Sequence, residues 1–130
     1  MTIHTYDITI RPDDIDHMGH VNNAVYVRWV QDVIIRHWER FAGPEAVASR
    51  LWVALKHEIN YLEPAFLEDR LQAGVILERI SGVRAQFRTL FRRGEKTLAD
   101  VVSCWCAVDA STHRPARLTR DTLSRIRATA

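Results

Sequence analysis

Polar side chains crowd the run Asp13-Asp14-Ile15-Asp16-His17-Met18-Gly19-His20-Val21-Asn22-Asn23 more densely than a turn requires. The run ends at Asn22 and Asn23, where a helix is expected to begin, because asparagine is a preferred N-cap. A helix start presents unpaired N–H groups and partial positive charge, which can polarise a carbonyl or hold an anion. A carboxylate a few residues earlier could face the same spot. That pairing meets the needs of thioester hydrolysis: backbone donors for charge developing on oxygen, and a carboxylate that attacks carbon or activates water. The same Asp13, Asp14 and Asp16 could instead favour the helix dipole and cap loop amides, and the pattern alone leaves both roles open. His17 and His20 raise a metal alternative, but a His-x-x-His pair in a loop brings no further ligand set, so no metal or cofactor is expected.

The elements that must position this loop can be read from periodicity. Ile3 to Arg11 alternates β-branched and polar residues until Pro12 removes a backbone donor, which predicts a first strand. Val27, Val30, Ile34, Trp38 and Phe41 then recur every three or four residues and predict a long amphipathic helix ending at Gly43-Pro44. After a short linker, Val53, Leu55, His57, Ile59 and Tyr61 are expected to share one face of a strand that Pro64 closes. Three more strands follow: Leu71 to Leu77, Val83 to Arg92 after the Ser81-Gly82 turn, and Leu98 to Val108 after Arg93-Gly94-Glu95-Lys96. Short turns between them predict sequentially antiparallel strands, with a short polar helix from about Thr119 to Ala128 at the end. One α+β domain over residues 1–130 answers this order: a five-stranded antiparallel sheet curled around one long central helix.

Composition narrows the function classes. Hydrophobic residues are 47% and charged residues 26% of 130, which fits an ordinary globular domain with a single core. A formal net charge of +2, with dispersed basic residues, makes no demand for a nucleic-acid partner. The local excess of Arg114, Arg117, Arg120, Arg125 and Arg127 reads as a solvated segment or as an attraction for a phosphate-bearing substrate. Cys104 and Cys106 are two apart in an apolar run, point the same way on a strand, and are expected to be small core residues in a reducing cytoplasm. No leader segment and no membrane-spanning stretch are predicted.

The segment from Asp14 to Tyr26, with its Gly19-His20-Val21-Asn22-Asn23 centre, resembles the signature loop and helix start of the 4-hydroxybenzoyl-CoA thioesterase family of hot-dog proteins. It is especially similar to the acyl-CoA thioesterases of that family and to plant acyl-carrier-protein thioesterases. The resemblance continues through Tyr61-Leu62-Glu63-Pro64-Ala65, the Trp105 strand and Arg114-Pro115. It implies a sheet wrapped around a central helix, homodimers made by pairing two sheets, further assembly into homotetramers, and active sites at the dimer interface. By motif position it also implies Asp16 as nucleophile or general base and the amide near Asn23 as the group polarising the thioester carbonyl. Gly19 lets the backbone turn closely, while His20 and Asn22 order the loop. Tyr26 and Tyr61 read as acyl-pocket lining or as ordinary core and interface. Arg84 and Arg88, on one strand face, read as CoA-phosphate contacts or as solvated surface. Arg84-Ala85-Gln86 departs from many relatives, which carry a small hydroxyl residue near this turn.

An acyl-CoA substrate, a carrier-protein thioester, and a non-catalytic subunit that binds an acyl thioester are the readings this leaves. A serine hydrolase is excluded by the lack of a sharp Gly-x-Ser-x-Gly elbow around any of the five serines from Ser49 to Ser124. A hot-dog hydratase or dehydratase would share the fold and substrates, but its Asp/Glu and His signature is a different one that this chain does not show.

Overall fold

The alternating run near the N-terminus forms strand β1 (His4–Ile8), which stops short of Pro12; Pro12–Asp14 instead make one turn of 3-10 helix. The computed structural model describes residues 1–130. Helix α1 (Val25–Phe41) and a short α2 (Pro44–Ser49) precede β2 (Arg50–Tyr61), β3 (Leu71–Ser81), β4 (Arg84–Arg93) and β5 (Lys96–Asp109); α3 (Arg120–Arg127) ends the order. The predicted polar terminal helix is present, capped by Thr119, whose hydroxyl accepts from Thr122 N at 3.2 Å. Helix α2 lies where only a linker was expected. Pro44 at its first position is pre-set for a helix, and six residues are too few to show a periodicity.

The five strands form one antiparallel sheet in the order β1-β3-β4-β5-β2. Strands β3, β4 and β5 are the expected sequential meander. The second strand departs from it: β2 pairs with β5 rather than β3 and forms an outer edge of the sheet. Helix α1 covers the concave face, burying Tyr26, Trp29, Val30, Val33, Ile34, His37 and Trp38 against Val75, Phe87, Phe91, Val101 and Trp105 of the sheet. Each large apolar side chain buried in this way contributes roughly 1.5–3 kcal/mol.

A β-bulge between Ala54 and Lys56 changes the face reading of β2. Trp52 and Ala54 lie opposite Ala107 and Trp105 before it, and His57, Ile59 and Tyr61 lie opposite Ser103, Val101 and Ala99 after it. Inward residues are therefore even-numbered, then odd-numbered, because the extra residue reverses the alternation. Val53 and Leu55 do not share a face with the later residues and stay 47% exposed. The two cysteines point the same way, as expected, with Cys106 buried and Cys104 half-buried. With Ser103, Trp105 and Ala107 facing the helix, Cys104 and Cys106 alternate to the opposite face, outside the main core, as free thiols.

The C-terminus is tied back by a buried polar chain. Tyr6 Oη donates to His37 Nδ1 at 2.7 Å, His37 Nε2 meets Thr129 Oγ1 at 3.4 Å, and Thr129 Oγ1 donates to Ile126 O at 2.7 Å. Burial first, then the nearby His4 and Arg40 charges, hold the His37 pKa down at about 4, so the ring is neutral at pH 7. No helix is long and apolar enough to cross a membrane.

Candidate active site

The polar loop is held by its own backbone. Asp16 N donates to His20 O at 3.0 Å, Gly19 N to Asp16 O at 3.0 Å, and Asn22 N to Asp14 O at 2.9 Å. Val21 N reaches Ala65 O at 2.8 Å, which docks the loop on the segment after β2. Gly19 has φ +82°, a left-handed conformation that strains any residue with a Cβ. The tight reversal at this position therefore follows from its residue type.

The aspartates separate into different environments. Asp14 is buried, with Oδ2 accepting from Arg11 N at 2.9 Å and Oδ1 from Arg28 Nη2 at 2.7 Å. Burial alone would raise its pKa, but the Arg11 and Arg28 hydrogen bonds outweigh it and the net shift is downward. Asp16 is only half-buried: Oδ1 accepts from Met18 N at 2.9 Å and Oδ2 from Asn22 Nδ2 at 3.2 Å. Asp13 and His17 point into solvent.

The regular helix begins two residues later than the asparagines suggest. Asn22 is not an ordinary N-cap: its Oδ1 accepts from Ala24 N at 2.9 Å, while Asn22 O and Asn23 O accept from Val25 N and Tyr26 N in two turns that lead into α1. From Asn22 to Tyr26, the Asn23 N–H alone has no partner within the chain. An unpaired N–H at a helix start is a donor ready for an incoming oxygen.

A cleft of about 240 Å³ opens beside this turn, lined by His20, Val21, Asn23, Tyr26, Tyr61, Leu62, Glu63 and Pro64. Tyr26, one of the lining residues, is buried, with its ring edge-on to Trp29 at 5.0 Å, Phe91 at 5.3 Å and Tyr61 at 5.5 Å. Burial pushes the Tyr26 phenol up to about 12, so it stays protonated. Tyr61 donates from Oη to Asn23 O at 2.8 Å. Asp16 does not line the cleft; its carboxylate is bound by Asn22, the neighbour of the lining residue Asn23. Of the residues singled out by sequence, His20, Asn23, Tyr26 and Tyr61 thus meet in one cleft, with Asp16, Gly19 and Asn22 in the turn beside it.

Leu62, Glu63 and Pro64 also line it; the sequence marked them as part of the Tyr61-to-Ala65 run that resembles the family, but not as site residues. The strand arginines stand apart from the cleft. Arg88 is held by Asp100 through Nε at 3.0 Å, and Arg84 sits at the opposite end of β4 from Phe91. Nearer cations, Arg93 and Lys96, pair with Asp69 and Glu63 at 2.8 Å each. A larger hollow of about 490 Å³ lies between α2 and the start of α3, but its Arg50 and Arg125 are paired with Asp109 and Asp121. No three His, Cys, Asp or Glu side chains converge as a metal site.

Residues 10–126 match the thioesterase-like superfamily. The chain belongs to that superfamily. A search of curated proteins finds no significant match. Among solved structures, this thioesterase-like chain is similar to a thioesterase from Thermus thermophilus complexed with coenzyme A and Zn, at 25% identity and TM-score 0.81, covering 96% of this chain and 97% of that one. It is similar to a DHNA-CoA thioesterase from Staphylococcus aureus, at 16% identity and TM-score 0.84, covering 98% and 93%. A predicted thioesterase from Bacillus stearothermophilus matches at 18% identity and TM-score 0.85, covering 99% and 97%. These likenesses give the thioesterase-like chain the hot-dog fold: a five-stranded antiparallel sheet around a central helix.

Proposed function

We propose that this chain is an acyl-CoA thioesterase of the 4-hydroxybenzoyl-CoA thioesterase type, with Asp16 as the catalytic carboxylate and the Asn23 N–H polarising the thioester carbonyl. The observation that carries the reading is the Asn22 bridge: its side chain joins the Asp16 carboxylate to a helix start where the Asn23 N–H has no internal partner. The Thermus thermophilus relative complexed with coenzyme A supports a CoA thioester as substrate.

In the proposed reaction the carbonyl oxygen accepts from Asn23 N–H, which stabilises the negative charge that develops there. Asp16 either attacks the carbonyl carbon, giving an anhydride that water then cleaves, or takes the proton of a water that attacks directly. On both routes the C–S bond breaks, the sulfur leaves as thiolate and is protonated to free thiol, and the acyl group leaves as the acid. Tyr26 and Tyr61 present the apolar wall for the acyl group, and Gly19 and His20 hold the loop in register.

The active unit in this reading is a homodimer, which can assemble further into a homotetramer. Strand β2 has a free backbone edge, carries exposed Leu51, Val53 and Leu55, and ends at the cleft residue Tyr61. Such an edge favours pairing with a second strand.

The deciding experiment is thiol release from short, long and aromatic acyl-CoAs by wild type and Asp16→Asn. Turnover of one class by wild type, lost in the folded variant, is expected. Turnover of acyl-carrier-protein thioesters alone moves the substrate from CoA to the carrier protein, and binding without turnover of either makes the chain an acyl-thioester-binding subunit.

A further inference from the structure

We propose that Tyr61 is a positioning residue, coupled to the Asp16 carboxylate by a chain of hydrogen bonds that crosses the start of α1. The catalytic meaning of this rests on the thioesterase reading above, while the chain itself rests on geometry. Tyr61 Oη donates to Asn23 O at 2.8 Å. On the other side of that same peptide, Ala24 N–H donates to Asn22 Oδ1 at 2.9 Å. The Asn22 amide completes the path, with Nδ2 donating to Asp16 Oδ2 at 3.2 Å.

Every donor in this path points toward Asp16. A C=O that accepts a hydrogen bond polarises its amide and strengthens the N–H that the amide donates, so aligned links reinforce one another. The Asn23–Ala24 peptide and the Asn22 side-chain amide are both units of this kind. Only one orientation of the Asn22 amide satisfies Ala24 N–H and the Asp16 carboxylate together, so the sense of the chain is fixed.

The hydroxyl matters because the Asn23 carbonyl has no other close donor. Helix α1 has no side-chain N-cap bond, and the other donor to Asn23 O, Tyr26 N, is at 3.3 Å. The Tyr61 ring is braced edge-on against Tyr26, which is itself braced by Trp29 and Phe91, so the hydroxyl comes from a stiff aromatic stack. Tyr61 is also the last residue of the edge strand β2. Any displacement of that strand, including one imposed by a partner subunit, would pass through Tyr61 to the turn that carries Asn23 N–H and to the carboxylate. A residue that only walled the cleft would act through its ring, and phenylalanine keeps the ring.

The test is a double-mutant cycle of Tyr61→Phe and Asn22→Ala, with kcat and KM measured separately and folding checked by thermal melts. Losing one aligned hydrogen bond is expected to lower kcat about tenfold in Tyr61→Phe while KM changes little. The double variant is expected to be no slower than Asn22→Ala alone, because that substitution already breaks the chain. Amide hydrogen exchange at Ala24 is expected to accelerate in Tyr61→Phe, and this reading needs no substrate. Wild-type kcat and wild-type Ala24 exchange in Tyr61→Phe would overturn the proposal, as would losses that simply multiply in the double variant. If wild type hydrolyses no thioester, the thioesterase reading fails by itself, and Ala24 exchange still decides the chain.

Discussion

Arg28 Nη2 lies 2.7 Å from Asp14 Oδ1, and this ion pair sets the environment of Asp14 apart from that of Asp16 in the Asp-x-Asp pair. Asp14 is also bound to Arg11 N, so removing its side chain leaves a partly buried N–H without its acceptor as well as an unpaired guanidinium. Asp14→Ala is expected to cost about 1–3 kcal/mol in denaturant unfolding. Asp16→Ala is expected to cost at most about 1 kcal/mol, and to lower kcat by about a hundredfold or more. Equal stability losses in the two variants would contradict this division. The pH dependence has a definite sign. The Asp14 carboxyl titrates below its ordinary 3.8 when folded, so its contribution is present above that pH and lost as pH falls further. The stability gap between wild type and Asp14→Asn should therefore narrow in acid below about pH 4.

His37 works in the same sense, over a higher range. Its folded pKa of about 4 lies below the ordinary 6.5, so between those values the unfolded chain takes up a proton that the folded chain refuses. Stability from this group is full above about pH 6.5 and declines as pH falls toward 4, by about 3 kcal/mol in all. Glutamine in its place can still accept from the Tyr6 hydroxyl without titrating. His37→Gln should flatten the unfolding free energy between pH 4 and 6.5 as followed by urea titration, and an unchanged slope would place the proton uptake elsewhere.

Gly19 has open space around the position a Cβ would take, so its φ of +82° is its one constraint. An alanine there is strained by roughly 1–2 kcal/mol and relaxes by shifting the turn that holds Asp16 O and His20 O. Gly19→Ala should melt slightly lower and lose activity about tenfold or more, because small displacements of reacting groups are costly. Full activity would mean that the loop tolerates the shift.

The sheet and helix were legible because their apolar pattern is local: every three or four residues in α1, every two in β3 and β4, and a continuous apolar run in β5. The position of β2 was not, since the sequence runs directly from β2 to β3 and only the pairing of Trp52 to Tyr61 with β5 reveals the crossing to the far edge. The bulge at Ala54 and Lys56 escaped for a related reason. Val53, Leu55 and His57 keep an unbroken alternation in the sequence, although the extra residue turns the first two away from the helix. At the site, residue types pointed to Asp16, Gly19, Asn22 and Asn23, but not to the contacts among them. That Asn22 bridges the carboxylate to Ala24, and that Tyr61 reaches Asn23 across 38 positions, depends on long-range packing.

The free edge of β2 supplies the last prediction. Leu51 is 46% exposed and Val53 is 47% exposed, in a strand that has a hydrogen-bonded neighbour on one side alone. Lysine on an edge strand opposes pairing with another strand, because charge must then be brought into the new contact. Wild type is expected to run as a dimer or tetramer in light-scattering chromatography, and Leu51→Lys with Val53→Lys to shift it toward monomer. Activity should fall with assembly, since β2 ends at Tyr61 in the wall of the cleft. A monomeric wild type would remove the seam from the proposed site, whereas a monomeric variant with full turnover would show that each subunit carries a complete site.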